Sequence, residues 1–164
     1  MDQIKVKVKR LKAGSIAYIE HRGAYDAIPW ERYLGRLYAW TKESKAKPGF
    51  KPFGIYYDDP SRVPPGECRC DVAIPIRGSP GGSGEIKVRA MPEMEVATTK
   101  FVGTGDQIGP TYAALHAWIG QNGYELAGAP MEVCTQKPKA KDGKTVIYSD
   151  IQFPVKKRQI ASHL

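Results

Sequence analysis

The chain has 164 residues, of which 25 are Lys or Arg and 17 are Asp or Glu, which gives a formal net charge of +8. Its 41% hydrophobic and 26% charged residues are typical of a globular protein, and 17 Gly with 13 Pro indicate many turns. This composition excludes collagen-like, coiled-coil and fully disordered chains. No run of about 18 apolar residues occurs, and the N-terminus alternates apolar and basic residues instead of resembling a signal peptide, so we expect a cytoplasmic protein without a membrane span.

The cysteine and histidine spacing argues against a metal site. Cys68 and Cys70 are separated by one residue, whereas a zinc knuckle requires two, and the remaining Cys134 cannot complete a second pair. The three histidines are far apart in the sequence. We therefore expect free thiols, no bound metal and no cofactor.

The basic residues are concentrated in three segments: residues 5–12, residues 137–144 and residues 156–158. The first and last are close to the termini, and the middle one has the composition of a loop. A DNA-binding protein more often carries its cations on one helix or one stripe. We therefore expect solubility and weak attraction to polyanions, with no direct DNA binding.

Hydrophobic periodicity predicts the elements of the first half. Alternation over residues 4–9 and a second apolar run over residues 16–22 predict two strands. Pro29 followed by apolar residues at helical spacing predicts an amphipathic helix over about residues 28–44. Residues 51–60 and 68–76 predict a further pair of strands, and the segment 78–84, rich in Gly, Ser and Pro, predicts a linker.

The second half repeats the first at an offset of 78 to 80 residues. Four blocks correspond in the same order: 17–28 with 97–108, 37–40 with 115–118, 52–60 with 130–138, and 71–76 with 150–155. This predicts one α+β domain over residues 1–157, built from two strand-helix-strand-strand modules at about 4–77 and 85–157, with a tail over 158–164. A module of this size buries too little surface alone, so we expect a pseudo-twofold pair with a largely antiparallel sheet and a ligand groove between the repeats.

The doubled motifs resemble a known family. They are Gly-x-Tyr before an aromatic helix ending in Leu-x-x-Trp, then Gly-Ile-Tyr-Tyr-Asp-Asp-Pro and Cys-Asp-Val-Ala-Ile-Pro-Ile, with Asp-Ile-Gln-Phe-Pro-Val closing the second half. Over residues 4–157 the sequence resembles the GyrI-like small-molecule-binding domain. The resemblance implies a tandem-repeat fold. Family members serve as effector domains of multidrug-responsive transcription regulators, as stand-alone drug-binding proteins, as a gyrase inhibitor, and as hydrolases of cyclopropane-bearing toxins.

The resemblance assigns the central role to Glu132, because relatives hold a glutamate here at the base of an aromatic pocket for cationic drugs. Strand alternation places Glu132 and Cys134 on one face, which the aligned first-half strand shares through Gly54 and Tyr56. A carboxylate on a central strand is costly to bury without a partner, which favours a donor or a ligand nearby. The alternative is a hydrated sheet face, and the sequence does not decide between them.

Six further residues complete the predicted ligand site. Tyr148 matches a pocket tyrosine of the family, and we expect it to stack on the ligand or to bond to the Glu132 carboxylate. Aromatic residues on the two predicted helices line either the core or the cleft. The predicted ligand-binding residues are Glu132, Tyr148, Tyr56, Trp118, Trp30, Tyr112 and Cys134. Gly105 and Cys134 stand where tyrosines are expected, which predicts a wider pocket.

Three functions are compatible with these patterns. The first is a stand-alone protein that binds amphipathic or cationic aromatic molecules. The second is a hydrolase of electrophilic, cyclopropane-bearing molecules, with Glu132 and Tyr148 as its catalytic groups. The third is a protein-interaction role such as gyrase inhibition through Lys156, Lys157 and Arg158, and the protein partner, a regulator or gyrase, is left open.

Overall fold

Ten strands form one antiparallel sheet in the computed structural model, which describes residues 4–49 and 51–159. The strands are β1 (Lys7–Leu11), β2 (Gly14–Arg22), β3 (Lys47–Pro48), β4 (Phe53–Tyr56), β5 (Arg69–Arg77), β6 (Ile86–Met91), β7 (Met94–Gly103), β8 (Tyr124–Leu126), β9 (Met131–Lys141) and β10 (Lys144–Lys157). The helices are α1 (Trp30–Ser44) and α2 (Ile108–Gln121). The predicted α+β class with an antiparallel sheet is confirmed.

Local chemistry sets the ends of α1. The helix begins directly after Pro29, whose missing N–H costs nothing in a first turn. It ends at Lys45, which adopts a left-handed conformation with φ of 58°. None of the helices in the described part of the chain is long and apolar enough to span a bilayer.

The strand order is β1-β7-β10-β9-β4-β5-β2-β6, with β3 beside β5 and β8 beside β10. The strands β9 and β4 meet at the centre, and the order outward from this point is equivalent on both sides. The edge strands are exchanged: β1 pairs with β7 of the second half, whereas β6 pairs with β2 of the first half. The predicted modules 4–77 and 85–157 are therefore linked by hydrogen bonds through both edge strands.

Both helices cover the same face of the sheet. Leu37 and Trp40 of α1 pack on β2, β5 and β6, while Leu115 and Ile119 of α2 pack on β7 and β10. A third cluster, which includes Phe53, lies on the opposite face near the centre. The face that carries the helices is called the helix face below, and the other is called the open face.

Candidate functional site

The candidate site lies at the centre of the helix face, where β9 and β4 are neighbours. Glu132 on β9 is directly opposite Gly54 on β4. Tyr112 of α2 reaches this point from one side, and Trp30 of α1 reaches it from the other. Glu132, Tyr112, Tyr56, Trp30 and Cys134 are called the Glu132 cluster below.

The Glu132 carboxylate accepts a hydrogen bond from the Tyr112 hydroxyl. Burial raises the pKa of Glu132 above its ordinary value, and the hydrogen bond from Tyr112 acts in the opposite direction. Among the described residues, no lysine or arginine forms an ion pair with Glu132. The carboxylate thus has one neutral donor and no compensating cation.

The two tyrosines of the cluster are neutral phenols. Burial raises the pKa of Tyr112, and the Glu132 charge and hydrogen bond raise it further. The pKa of Tyr56 is also raised well above its ordinary value, first by burial and then by the Glu132 charge. Tyr56 packs edge-on against Tyr25, with ring centroids 4.9 Å apart. The carboxylate therefore faces aromatic rings and the Tyr112 hydroxyl donor, without a second charge.

Gly54 gives the Trp30 indole its place beside Glu132. A Cβ atom at position 54 would lie 2.8 Å from Cη2 of Trp30 and 3.0 Å from Cε2 of Tyr56. These distances are shorter than ordinary van der Waals contacts, so a side chain at this position would displace a ring. The absence of a side chain at Gly54 thus allows two aromatic rings to lie on the strand next to the carboxylate.

Cys134 lies two residues after Glu132 on the same face of β9. Burial raises the pKa of its thiol, and the Glu132 charge raises it further. The thiol is therefore protonated at neutral pH. Cys68 and Cys70 are fully buried, and all three cysteines are free, as the sequence predicts.

Two predicted site residues lie elsewhere. On β10, Ile151 and Phe153 pack under α2, so strand alternation directs Tyr148 to the open face. Tyr148 instead lies near Lys139, whose Nζ is 5.9 Å from the ring centroid. The predicted contact between Tyr148 and Glu132 is wrong, and Tyr112 donates the hydrogen bond in its place.

Trp118 packs within the second half of the molecule. Its ring stacks on Tyr124 of β8, with centroids 6.2 Å apart and an angle of 15° between the planes. It also packs on the apolar cluster under α2. Of the two alternatives left open for Trp118, this contact favours a place in the core.

Tyr25 was not among the predicted site residues, although it belongs to the Gly-x-Tyr motif that precedes α1. Its hydroxyl donates to the Arg69 carbonyl at 2.7 Å and accepts from the Asp58 amide at 3.1 Å. Burial raises the pKa of Tyr25 to about 12. These bonds hold its ring against Tyr56, so a residue of this motif packs against the Glu132 cluster.

Neither of two cavities on the surface of the described residues includes Glu132. A cavity of about 440 Å³ lies between the end of α2 and β8, and one of about 580 Å³ lies on the open face beside Met91, Met94 and Met131. The ring of Trp30 lies over Gly54, the residue opposite Glu132, and the Tyr112 hydroxyl is bonded to the carboxylate. The described residues contain no group of His, Cys, Asp or Glu side chains suited to a metal ion.

The comparisons with known proteins agree with this architecture. The family profile of the GyrI-like small molecule binding domain matches residues 4–156, so the chain belongs to that family. The crystal structure of the EcmrR C-terminal domain superposes with a TM-score of 0.72 at 16% identity, covering 94% of this chain and 98% of that one. In the DNA complex of EcmrR, the matched region is 57% of the EcmrR chain.

Two further structures share the fold. A hydrolase encoded by lin2189 from Listeria innocua has a TM-score of 0.68 at 15% identity, covering 94% of this chain and 93% of that one. SAV2435 bound to tetraphenylphosphonium has a TM-score of 0.55 at 11% identity, covering 93% and 94%. At these identities the likeness extends to the fold alone. No curated protein matches the sequence.

Proposed function

We propose that the chain binds amphipathic aromatic cations at the Glu132 cluster. The observation that carries this proposal is a half-buried carboxylate without a compensating cation, bonded to Tyr112, with Trp30 over the neighbouring Gly54. A carboxylate in this environment gains from a cationic partner that also lacks strong hydration. Aromatic faces attract such a cation through their quadrupoles and bury its apolar surface.

Binding at this site requires a rearrangement of side chains. Trp30 lies over Gly54, and Tyr112 lies at the carboxylate, so a ligand reaches Glu132 only when one of these rings moves aside. The hydrogen bond from Tyr112 then gives way to the ligand charge. We therefore expect the affinity to include the cost of opening the cluster.

The test is a fluorescence titration with tetraphenylphosphonium and with the neutral analogue triphenylphosphine oxide. Glu132→Gln keeps the shape of the side chain and removes its charge. It should therefore lower the affinity for the cation by about ten- to a hundred-fold, equivalent to about 1.5 to 3 kcal/mol. The affinity for the neutral analogue should change by less than about threefold. Glu43→Gln removes one exposed charge from α1 and serves as the control. Equal loss for both probes, or equal loss in both variants, contradicts the proposal.

A second function, hydrolysis of an electrophilic cyclopropane, is favoured by the pairing of Glu132 with Tyr112. The raised pKa of Glu132 makes the carboxylate a stronger base than an exposed glutamate. It would accept a proton from water while the C–O bond forms and the strained C–C bond breaks. The electron pair moves to a conjugated carbonyl of the substrate, which then takes up a proton. Turnover of such a substrate should disappear in Glu132→Gln, and full retention would exclude this mechanism.

The third function, a protein interaction through the closing basic segment, gains no support from the contacts of that segment. Lys156 pairs with Glu125 at 3.3 Å. The Arg158 guanidinium donates to the Gly120 carbonyl at 2.7 Å. Two of the three cations thus have partners within the chain.

A further inference from the structure

Basic residues that are scattered in the sequence share the open face of the second half. On β1 and just before it, Val6 and Val8 pack into the cluster under α2, on the helix face. Alternation therefore directs Lys5, Lys7 and Lys9 to the open face, and all three are exposed.

The neighbouring strand β7 continues this arrangement. Ala97 and Phe101 lie on the helix face, so Lys100 points to the open face. Thr99 donates its hydroxyl to the Lys5 carbonyl at 2.7 Å, which fixes the segment before β1 beside Lys100. Val102, on the same side, is 64% exposed.

The hairpin between β9 and β10 extends the same surface beyond the end of β7. Lys144 lies opposite Lys141, and Val146 lies opposite Lys139. Directly opposite residues share a face, which is that of Tyr148, and the lysines are exposed. The surface of Lys5, Lys7, Lys9, Lys100, Lys139, Lys141 and Lys144 is called the basic face below.

In the first half, the cations at the equivalent positions form ion pairs with acidic residues. Lys87 and Arg89 of β6 occupy the places that Lys7 and Lys9 of β1 occupy in the second half. Lys87 pairs with Glu20, and Arg89 pairs with Asp71. The residue equivalent to Glu20 is Lys100, so the acid of one half is a cation in the other.

The basic face consequently carries an uncompensated charge. None of its seven lysines forms an ion pair with another described residue. The acids on or beside it are Asp150, Asp142 and Asp106, the last within electrostatic range of Lys144. Like charges directly opposite each other, as at Lys141 and Lys144, destabilise a sheet. A surface that retains this repulsion, with seven lysines and no ion pair to the acids beside them, fits an anionic partner.

Contrary to the expectation from the sequence alone, we propose that the basic face binds the phosphate backbone of a nucleic acid without reading its sequence. Lys100 lies directly opposite Asp150 of β10. Since a strand rises about 3.3 Å per residue, the lysines extend over about 20 Å along β10 from this point to Lys144. Ammonium groups are mobile point charges that suit a row of phosphates. The apolar side chains here are the exposed Val102 and, directly opposite it, the half-buried Tyr148, which give a membrane surface little to bury. This surface lies opposite the Glu132 cluster and is independent of the proposed ligand.

The test is fluorescence anisotropy with a labelled DNA duplex of 20 base pairs, with its single strand, and with an RNA strand of the same sequence, over a series of salt concentrations. The triple variant K139Q/K141Q/K144Q should weaken binding at 50 mM salt by at least about tenfold. It should also reduce the slope of log affinity against log salt by about 2 to 3, because each lost phosphate contact removes about 0.7 to 0.9. The ranking of the three nucleic acids identifies which backbone fits.

The control K42Q/K47Q/K51Q removes the same charge from exposed positions of the first half. It should change the slope by less than about 1. Lys100→Glu restores the acid found at Glu20 and should weaken binding more than Lys100→Gln does. Equal losses in the two triple variants, tighter binding to polyglutamate than to the nucleic acids, or no binding at 50 mM salt would overturn the proposal.

Discussion

At the scale of single residues, Glu132 combines a cost in stability with a use in binding. Its carboxyl lies in a poorly hydrated site where the protonated form is favoured, so its pKa is raised in the folded state. Below the ordinary pKa of glutamate the group is protonated in both the folded and unfolded states and costs little. As the pH rises towards the raised pKa, the unfolded state loses its proton first, and the folded protein loses stability relative to it. The charge to which we assign the attraction of a cation thus destabilises the folded protein.

The loss of stability at higher pH leads to a prediction for Glu132→Gln. At pH 8 the variant should be more stable than the wild type by on the order of 1 kcal/mol, because the amide retains an acceptor for Tyr112 without a buried charge. At pH 4 the difference should nearly vanish. Urea unfolding at both pH values measures it, with Glu43→Gln as the exposed control. A variant less stable than the wild type by the same amount at both pH values would show that the charge is not penalised.

Gly54 leads to a second prediction at this scale. Gly54→Ala places a methyl group against Trp30 and Tyr56 and should destabilise the fold by about 1 to 3 kcal/mol. Gly35→Ala, within α1, meets no atom within 4 Å and should stabilise the helix by about 0.5 to 1 kcal/mol. Both free energies of unfolding come from denaturant titrations. If both substitutions changed the free energy of unfolding in the same direction, the close approach of the rings to Gly54 would not contribute to stability.

At the scale of elements, Arg158 connects the end of β10 to the end of α2. Its guanidinium donates to the carbonyl of Gly120 at 2.7 Å, and its amide donates to that of Gly123 at 2.8 Å. Carbonyl groups at a helix C-terminus lack partners within the helix, so a cation there stabilises the end. This assigns a structural role to a residue that the sequence associates with a partner protein.

We therefore predict that Arg158→Gln lowers the free energy of unfolding by about 1 kcal/mol. Lys157→Gln, at the exposed last residue of β10, should change it by less than about 0.5 kcal/mol. Amide hydrogen exchange should show faster opening of residues 119–121 in the Arg158 variant alone. Equal effects of the two substitutions would indicate a general charge effect instead of a cap.

Much of the secondary structure could be predicted because its signals are local. Periodicity gave the helix α1 to within two residues at its start, and alternation indicated that residues 4–9 lie with one face inward. The common face of Glu132, Gly54 and Tyr56 also followed, since the predicted repeat aligns their strands. The structure places these residues together, whereas their role in ligand binding stays a prediction.

The errors arose where strand pairing decides the contact. Tyr148 is close to Glu132 in strand order, but the register pairs Glu132 with Ile151 and directs Tyr148 to the other face. Likewise, lysines at the N-terminus and in a late hairpin are separated by more than 100 residues, and only the pairing of β1 with β7 brings them to one surface. Pairing between distant strands leaves no local periodicity, so the sequence of one chain does not disclose it.

At the scale of the whole molecule, the exchanged edge strands make each half depend on the other. A fragment of residues 4–77 contains β1 without its partner β7, and β2 without its neighbour β6. A fragment of residues 14–91 is similar in length but keeps β2, β5 and β6 together with α1. The linker at residues 78–84 therefore connects β5 to β6, two strands that both form hydrogen bonds with β2.

This predicts that the two fragments behave differently, although both contain one complete helix and similar apolar content. The fragment 14–91 should show more native-like circular dichroism and a cooperative thermal transition, because its β2 strand is paired on both sides. The fragment 4–77 should be largely unfolded or self-associated, because an unpaired β2 edge and the exposed apolar side of β1 favour association. Size-exclusion chromatography of each fragment at several concentrations separates these states. If 4–77 were monomeric and as stable as 14–91, the edge exchange would contribute little, and the halves would be independent modules joined by a passive linker. If 14–91 alone folds, residues 92–93 mark the boundary between the two halves, and the Glu132 cluster lies across the interface they form.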